Sequence, residues 1–325
     1  MAFSYKVYFT ERSKHRIVCL DPNSGHCEII AGEAGNGDLR QKLHQPYGLA
    51  VNREHELFVA DKLGDRIAKI KNGQIIPVEL ATDGTSGNLV KHLKGPAGLC
   101  VESATGDMLC SYSHSHCICR LKTNGRVELV VGRSPEHRYF FTGFRDNAGA
   151  KDVSEFPIRH PAALVAHPNG TIFFAERGYQ TLREFHPERG IKSIFGTPAS
   201  DLQTPRVKFP EEMPFDAFKP KYPIGLALDL QNELYLSDAK WGIVVHIDFA
   251  AQVVRRVITS QSEGGPAAIA FAPDGVLWIL NNAEGCVQAY TRIGSRWEKL
   301  SEKSFSTSVD EVRRISNEGA GIVCA

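Results

Sequence analysis

One short pattern recurs six times along this chain, and a repeat of that kind limits the fold before any other feature is weighed. Each copy is an aromatic or aliphatic pair, a small residue and, in most copies, an acid. The copies are VYFTE ending at Glu11, LFVAD at Asp61, MLCSY at Tyr112, IFFAE at Glu176, LYLSD at Asp238 and LWILN at Asn281. Their last residues lie 50, 51, 64, 62 and 43 positions apart. Six residues after each, a new apolar run opens at Ile17, Ile67, Ile118, Leu182, Val244 and Val287. Ahead of five copies stands a Pro-led run: PYGLAV (46–51), PAGLCV (96–101), PAALVA (161–166), PIGLAL (223–228) and PAAIAF (266–271). Behind the pattern, Asn72-Gly73 and Asn124-Gly125 favour tight hairpins into further strands.

Each unit therefore reads as four antiparallel strands. Apolar residues on both faces of many strands suit sheets stacked between neighbouring sheets. Six such sheets around an axis make an all-β, six-bladed β-propeller, with residues 1–325 as a single domain. The first unit lacks its leading strand, and GAGIVCA, residues 319–325, matches PAGLCV and PIGLAL. This C-terminal strand is expected to complete blade 1 and close the ring, which removes the exposed edges of an open sheet.

The bulk properties narrow the class. A net charge of +1 and 42% hydrophobic residues argue against a dedicated nucleic-acid or membrane-surface protein. No apolar run approaches the roughly 20 residues that span a bilayer, and MAFSYKVYFTERSKH shows no basic segment leading into an apolar one. The eight cysteines form no C-x-x-C pair and sit mostly in strand-like runs, as reduced core residues do. These features predict a monomeric, cytoplasmic protein.

LFVADKLGDRIAKI (57–70) and VYFTERSKHRIVCL (7–20) resemble the signature of NHL-repeat propellers, and the resemblance extends over essentially the whole chain. More distantly, the chain is similar to gluconolactonase-like and strictosidine-synthase-like propellers. Blades 1 and 2 match best, while blades 3, 5 and 6 lose the acid, the arginine or both. The resemblance implies that the loop after strand two and the segment leading into strand one open on one face around the axis. It also implies a local salt bridge between the acid and an arginine five residues later. Glu11 with Arg16 and Asp61 with Arg66 keep it, whereas blade 4 has Thr181 and blade 5 Ile243 at the partner position.

Glu176 and Asp238 are thus expected to lack that partner, the alternative being that Arg177, Arg183 or Lys240 satisfies them instead. A carboxylate so placed near low-dielectric walls has a raised pKa, which suits acid–base chemistry. The segments before the prolines add a basic or polar arc: His44, Lys94, Arg159 and Lys221, then Gln45, His160 and Tyr222. Such an arc can hold a carboxylate or phosphate. Glu318 is its counterpart in blade 1.

Metal chemistry is not expected. His114, His116, Cys117 and Cys119 fit no zinc spacing. Amidating lyases of this fold carry histidine directly after the leading proline, where this chain has Tyr47, Ala97, Ala162, Ile224 and Ala267. The ring does not supply the roughly six oxygen ligands of a calcium site. No redox-cofactor motif is present.

The sequence therefore predicts a metal-independent, cofactor-free enzyme of lyase, hydrolase or isomerase/cyclase type. It would act on a small polar or anionic molecule in an axial pocket. Glu176, Asp238 and His160 are its candidate catalytic groups. Tyr112, Asn281, Arg159, Lys221, Tyr222, His44 and Glu11 are its candidate substrate contacts. The alternative is a binding platform for a protein or RNA partner, without catalysis.

Overall fold

The computed structural model describes residues 3–32, 42–81, 89–132, 147–148, 156–196, 209–260, 264–300 and 321–325. They form six antiparallel sheets arranged as the blades of a six-bladed β-propeller. The innermost strand of blades 2 to 6 is the Pro-led run: Pro46–Val51, Pro96–Val101, Pro161–Ala166, Pro223–Leu228 and Pro266–Phe271. The second strand of each blade is the repeat: Val7–Glu11, Leu57–Asp61, Met108–Tyr112, Ile172–Glu176, Leu234–Asp238 and Leu277–Asn281. Each blade has the expected four strands, and blades 4 and 5 each carry a further short strand, Asn147–Ala148 and Glu212–Pro214, at the outer edge.

Alternation along the second strands explains the stacking. In Ile172–Glu176, Phe174 joins the cluster shared with blade 3, and its neighbour Phe173 joins the cluster shared with blade 5. Trp278 faces blade 1, while Leu277 and Ile279 face blade 5. Successive strand residues point to opposite faces, so a strand apolar on both faces fits only between two other sheets. The result is a separate core in each of the six interblade spaces.

The ring closes as expected. Ile322–Cys324 pairs with Val7–Glu11 through Phe9↔Ile322, Tyr8↔Val323 and Val7↔Cys324. Backbone bonds Thr10 N–H to Gly321 O (3.0 Å) and Ala325 N–H to Lys6 O (2.9 Å) extend the pairing.

The innermost strands pack tightly at the axis. A Cβ on Gly48 would meet Ala97 O at 2.3 Å, one on Gly98 would meet Ala162 O at 2.3 Å, and one on Gly321 would meet Tyr47 O at 2.2 Å. Hydroxyls link these strands from blade to blade. Thr10 Oγ1 donates to Tyr47 O (3.0 Å) and accepts from Gly321 N–H (2.9 Å). Ser111 Oγ donates to Ala162 O (2.6 Å) and accepts from Gly98 N–H (2.8 Å). Close approach leaves an axial channel of about 60 Å³, room for a few water molecules. Among the described residues no helix is long and apolar enough to cross a membrane.

Candidate functional site on the axial face

Strand register puts the leading prolines beside the ends of the second strands: Pro46↔Asp61, Pro96↔Tyr112, Pro161↔Glu176, Pro223↔Asp238 and Pro266↔Asn281. One face of the propeller therefore gathers both sets of candidate residues, as the resemblance implied.

The repeat-end residues do not point into that face. Glu176 is fully buried and has partners: Oε1 accepts Arg159 N–H (2.5 Å), and Oε2 accepts Thr181 Oγ1–H (3.2 Å) and Arg183 Nη1–H (3.2 Å). Arg183, two residues beyond the usual arginine, is itself fully buried. Asp238, also fully buried, accepts four backbone N–H groups, from Lys221 (2.7 Å), Tyr222 (3.1 Å), Lys240 (3.1 Å) and Trp241 (3.0 Å). The expectation that the two acids lack partners is thus corrected. Arginine reaches Glu176 from another rung, and backbone donors replace it at Asp238. Burial pushes both carboxyl pKa values up, and these hydrogen bonds pull them down; burial wins in each. Neither carboxylate is presented to a ligand. Both pin the segment leading into their own blade, as Asp61 does by accepting His44 N–H (2.5 Å).

Glu11 (2% exposed) pairs with Arg16 and with Lys14 Nζ at 3.1 Å. Asn281 (2% exposed) bonds Gln288 Oε1 (3.2 Å) and accepts Glu284 N–H (3.3 Å). Tyr112 (3% exposed) packs in the core between blades 2 and 3 with Cys110, Cys117 and Cys119. The expected substrate contacts of these three side chains are corrected by that burial. His44 and Arg159 are exposed, while His160, Lys221 and Tyr222 are half-buried on the face. Glu318 lies outside the described residues.

The fourth residue past each repeat end, a histidine in blades 1 and 3, has a mechanical role. The residue four beyond each repeat end turns the chain with positive φ: His15, Asp65, His116, Gln180, Gly242 and Gly285. In blades 1 to 3 its side chain clasps the next blade. His15 Nδ1 accepts Gln45 N–H (3.0 Å), Asp65 Oδ1 accepts Gly95 N–H (2.8 Å) and His116 Nδ1 accepts His160 N–H (3.0 Å). His160 in turn places its Nδ1 3.0 Å from Ser113 O. Among the described residues no group of three or more His, Cys, Asp or Glu is placed to hold a metal.

The His116 clasp makes a pH prediction. Burial, with His160, Arg159 and His114 nearby, lowers its pKa from 6.5 to about 4. The unfolded chain then binds the extra proton first, so this contribution is intact above about pH 6.5 and lost as pH falls toward 4. His116→Asn keeps an acceptor, tolerates positive φ and does not titrate. The melting temperature of the native protein should therefore fall more steeply between pH 6.5 and 4.5 than that of His116→Asn. Parallel slopes would contradict the clasp.

What does converge at the axis is a set of residues one past a repeat end, Arg12, Lys62, Arg177 and Ala239, with residues one past a leading proline, Tyr47, Ala97 and Ile224. Tyr47, Ala97, Ile224 and Ala239 form an apolar cap over the channel mouth, with Tyr222 packed against it. Three cations gather on this cap. The Arg12 guanidinium lies 5.2 Å and Lys62 Nζ 4.5 Å from the Tyr47 ring centre. The Arg177 guanidinium lies 4.4 Å from the Tyr222 ring centre, and its Nη1 donates to the Tyr47 hydroxyl (3.1 Å). Lys62 is only 9% exposed, and among the described residues it forms no ion pair or hydrogen bond through its ammonium. Its pKa falls to about 8, first from burial and then from Arg177 and Arg12. Of the sequence candidates only Tyr222 joins this cluster. Arg12, Lys62 and Arg177 were missed, although each stands one position past a repeat end. A second cavity of about 810 Å³ lies off the axis between blades 4 and 5, against Phe195, Phe215, Phe218 and Phe249, and none of the sequence candidates lines it.

Fold and face together define a six-bladed β-propeller with a basic, aromatic axial cap. No known family's sequence pattern matches the chain, and no curated protein matches it in sequence. Solved structures match in shape. A chain of a nidogen–laminin complex aligns with TM-score 0.63 at 14% identity, over 99% of this chain and 98% of its own. A streptogramin B lyase aligns with TM-score 0.56 at 14% identity, over 91% and 79%. A gluconolactonase from Xanthomonas campestris aligns with TM-score 0.50 at 15% identity, over 75% and 72%. At these identities the likeness is one of fold.

Proposed function

We propose that this NHL-like propeller is an enzyme that binds a small organic anion at the axial mouth, with Arg12, Lys62 and Arg177 as the anion's partners and Tyr47 and Tyr222 as its apolar bed. The carrying observation is Lys62, nine-tenths buried between two guanidiniums and without a carboxylate among the described residues. A buried cation normally has a counterion, because desolvation is costly. An arriving carboxylate or phosphate would supply one. Lyase, hydrolase or isomerase chemistry on such a substrate remains the reading, now centred on these residues rather than on Glu176 and Asp238. Streptogramin B lyase and gluconolactonase are enzymes of the same fold, which suits it.

A ligand at a hundred times its dissociation constant stabilises the folded state by about 2.7 kcal/mol. Small carboxylates and phosphate esters at low salt should therefore raise the melting temperature of the native protein. Arg177→Gln should remove most of that rise. A rise seen only with single-stranded RNA, and none with any small anion, would favour the binding-platform alternative instead.

A further inference from the structure

We propose that Lys62 is an amine nucleophile, condensing with the carbonyl carbon of a small 2-oxo acid whose carboxylate is held by Arg177 and Arg12. The inference rests on the anion-site reading above and adds a covalent step to it. Two guanidiniums already suffice to grip a carboxylate, since arginine offers a planar fork of donors. A lysine needed only as a third positive charge works best hydrated, yet this one is 9% exposed and set over an aromatic face.

Both Lys62 and Arg177 are anchored on the same Tyr47 side chain, one over the ring and one at the hydroxyl. Amine and guanidinium are thus held within the reach of one small molecule that carries a carboxylate beside a carbonyl. The ring face favours the ammonium, but burial and the neighbouring cations outweigh it, leaving the pKa at about 8. About a tenth of the amine is then free base at pH 7, against less than about a thousandth for an ordinary lysine. Desolvation beside other cations is a recognised way to activate a lysine.

In the step itself the neutral Nζ lone pair forms a C–N bond to the carbonyl carbon. The C=O π electrons move to oxygen, which takes a proton while nitrogen loses one. The resulting carbinolamine expels its hydroxyl as water, so amine and ketone become imine and water with no change of oxidation level. An imine beside a carboxylate makes the adjacent carbon acidic, which prepares aldol cleavage, decarboxylation or β-elimination.

The test is reductive trapping of the whole protein with pyruvate and cyanoborohydride at pH 7, followed by peptide mapping. A single adduct at Lys62, forming at least about tenfold faster than on exposed lysines and suppressed by lactate, is expected. Lys62→Arg should abolish the fast adduct; mapping of the native protein stands even where that variant fails to fold. Adducts spread over exposed lysines with Lys62 unmodified would overturn the proposal. If lactate still raises the melting temperature in an Arg177-dependent way, the anion site survives that failure. If lactate has no effect either, both readings fall.

Discussion

Deleting residues 319–325 is expected to abolish cooperative folding. Within this segment, residues 321–325 supply the leading strand of blade 1, pairing with Val7–Glu11 through three residue pairs and flanking backbone bonds. It also fills two interblade cores: Ile322 packs with Trp278 and Leu280, and Val323 packs against the cluster of Leu49 and Val59. Its loss would strip one edge of the Val7–Glu11 strand and open the ring between blades 6 and 2. Whole domains are stable by only about 5–15 kcal/mol, so losing a strand and parts of two cores consumes most of that margin. Gly321→Val should have a similar effect without shortening the chain, because its Cβ would collide with Tyr47 O. A truncated chain that melts at the native temperature would show that the ring does not depend on this strand.

The second large effect belongs to Glu176. Glu176→Gln is expected to cost about 3–5 kcal/mol, because it leaves the fully buried Arg183 charge without its carboxylate. The partner comes from an unusual place, seven residues along the chain rather than five. The single variant should be rescued largely by a second change, Arg183→Met, which removes the stranded charge. Glu11→Gln should be milder, since Arg16 and Lys14 remain 19% and 34% exposed and can turn to water. Urea unfolding of the three variants orders these effects. Equal losses at Glu11 and Glu176, or no rescue, would remove the buried pair from the account.

The fold was legible because it is written in local patterns that repeat. Phe173 and Phe174 announce a strand buried on both faces, and the Gly-containing leading runs mark strands in close contact around the axis. Closure was legible for the same reason, since 321–325 carries the residues of a leading strand. The site was harder to read. Partner assignment by fixed spacing failed at Glu176, where Arg183 reaches the acid from two residues further along the same strand. It failed at Asp238, where the donors are backbone N–H groups and leave no trace in residue type. The histidine position was visible at His15 and His116, but its task, holding the next blade's backbone, needed the interblade geometry. Lys62 and Arg177 look like ordinary loop cations in sequence. Only the folded arrangement brings these cations, from blades 1, 2 and 4, together over Tyr47 and Tyr222.

The anion site at the axial mouth is tested most directly by calorimetric titration of a small carboxylate into the native protein and into Arg177→Gln, at pH 7 and at pH 9. Burial and the neighbouring Arg177 and Arg12 lower the Lys62 pKa to about 8, so its positive charge is largely present at pH 7 and largely lost at pH 9. Binding is therefore expected at pH 7, weaker at pH 9, and at least about tenfold weaker in Arg177→Gln, the value of one lost charge-assisted contact. Affinity that is the same at both pH values and unchanged in Arg177→Gln would contradict the account.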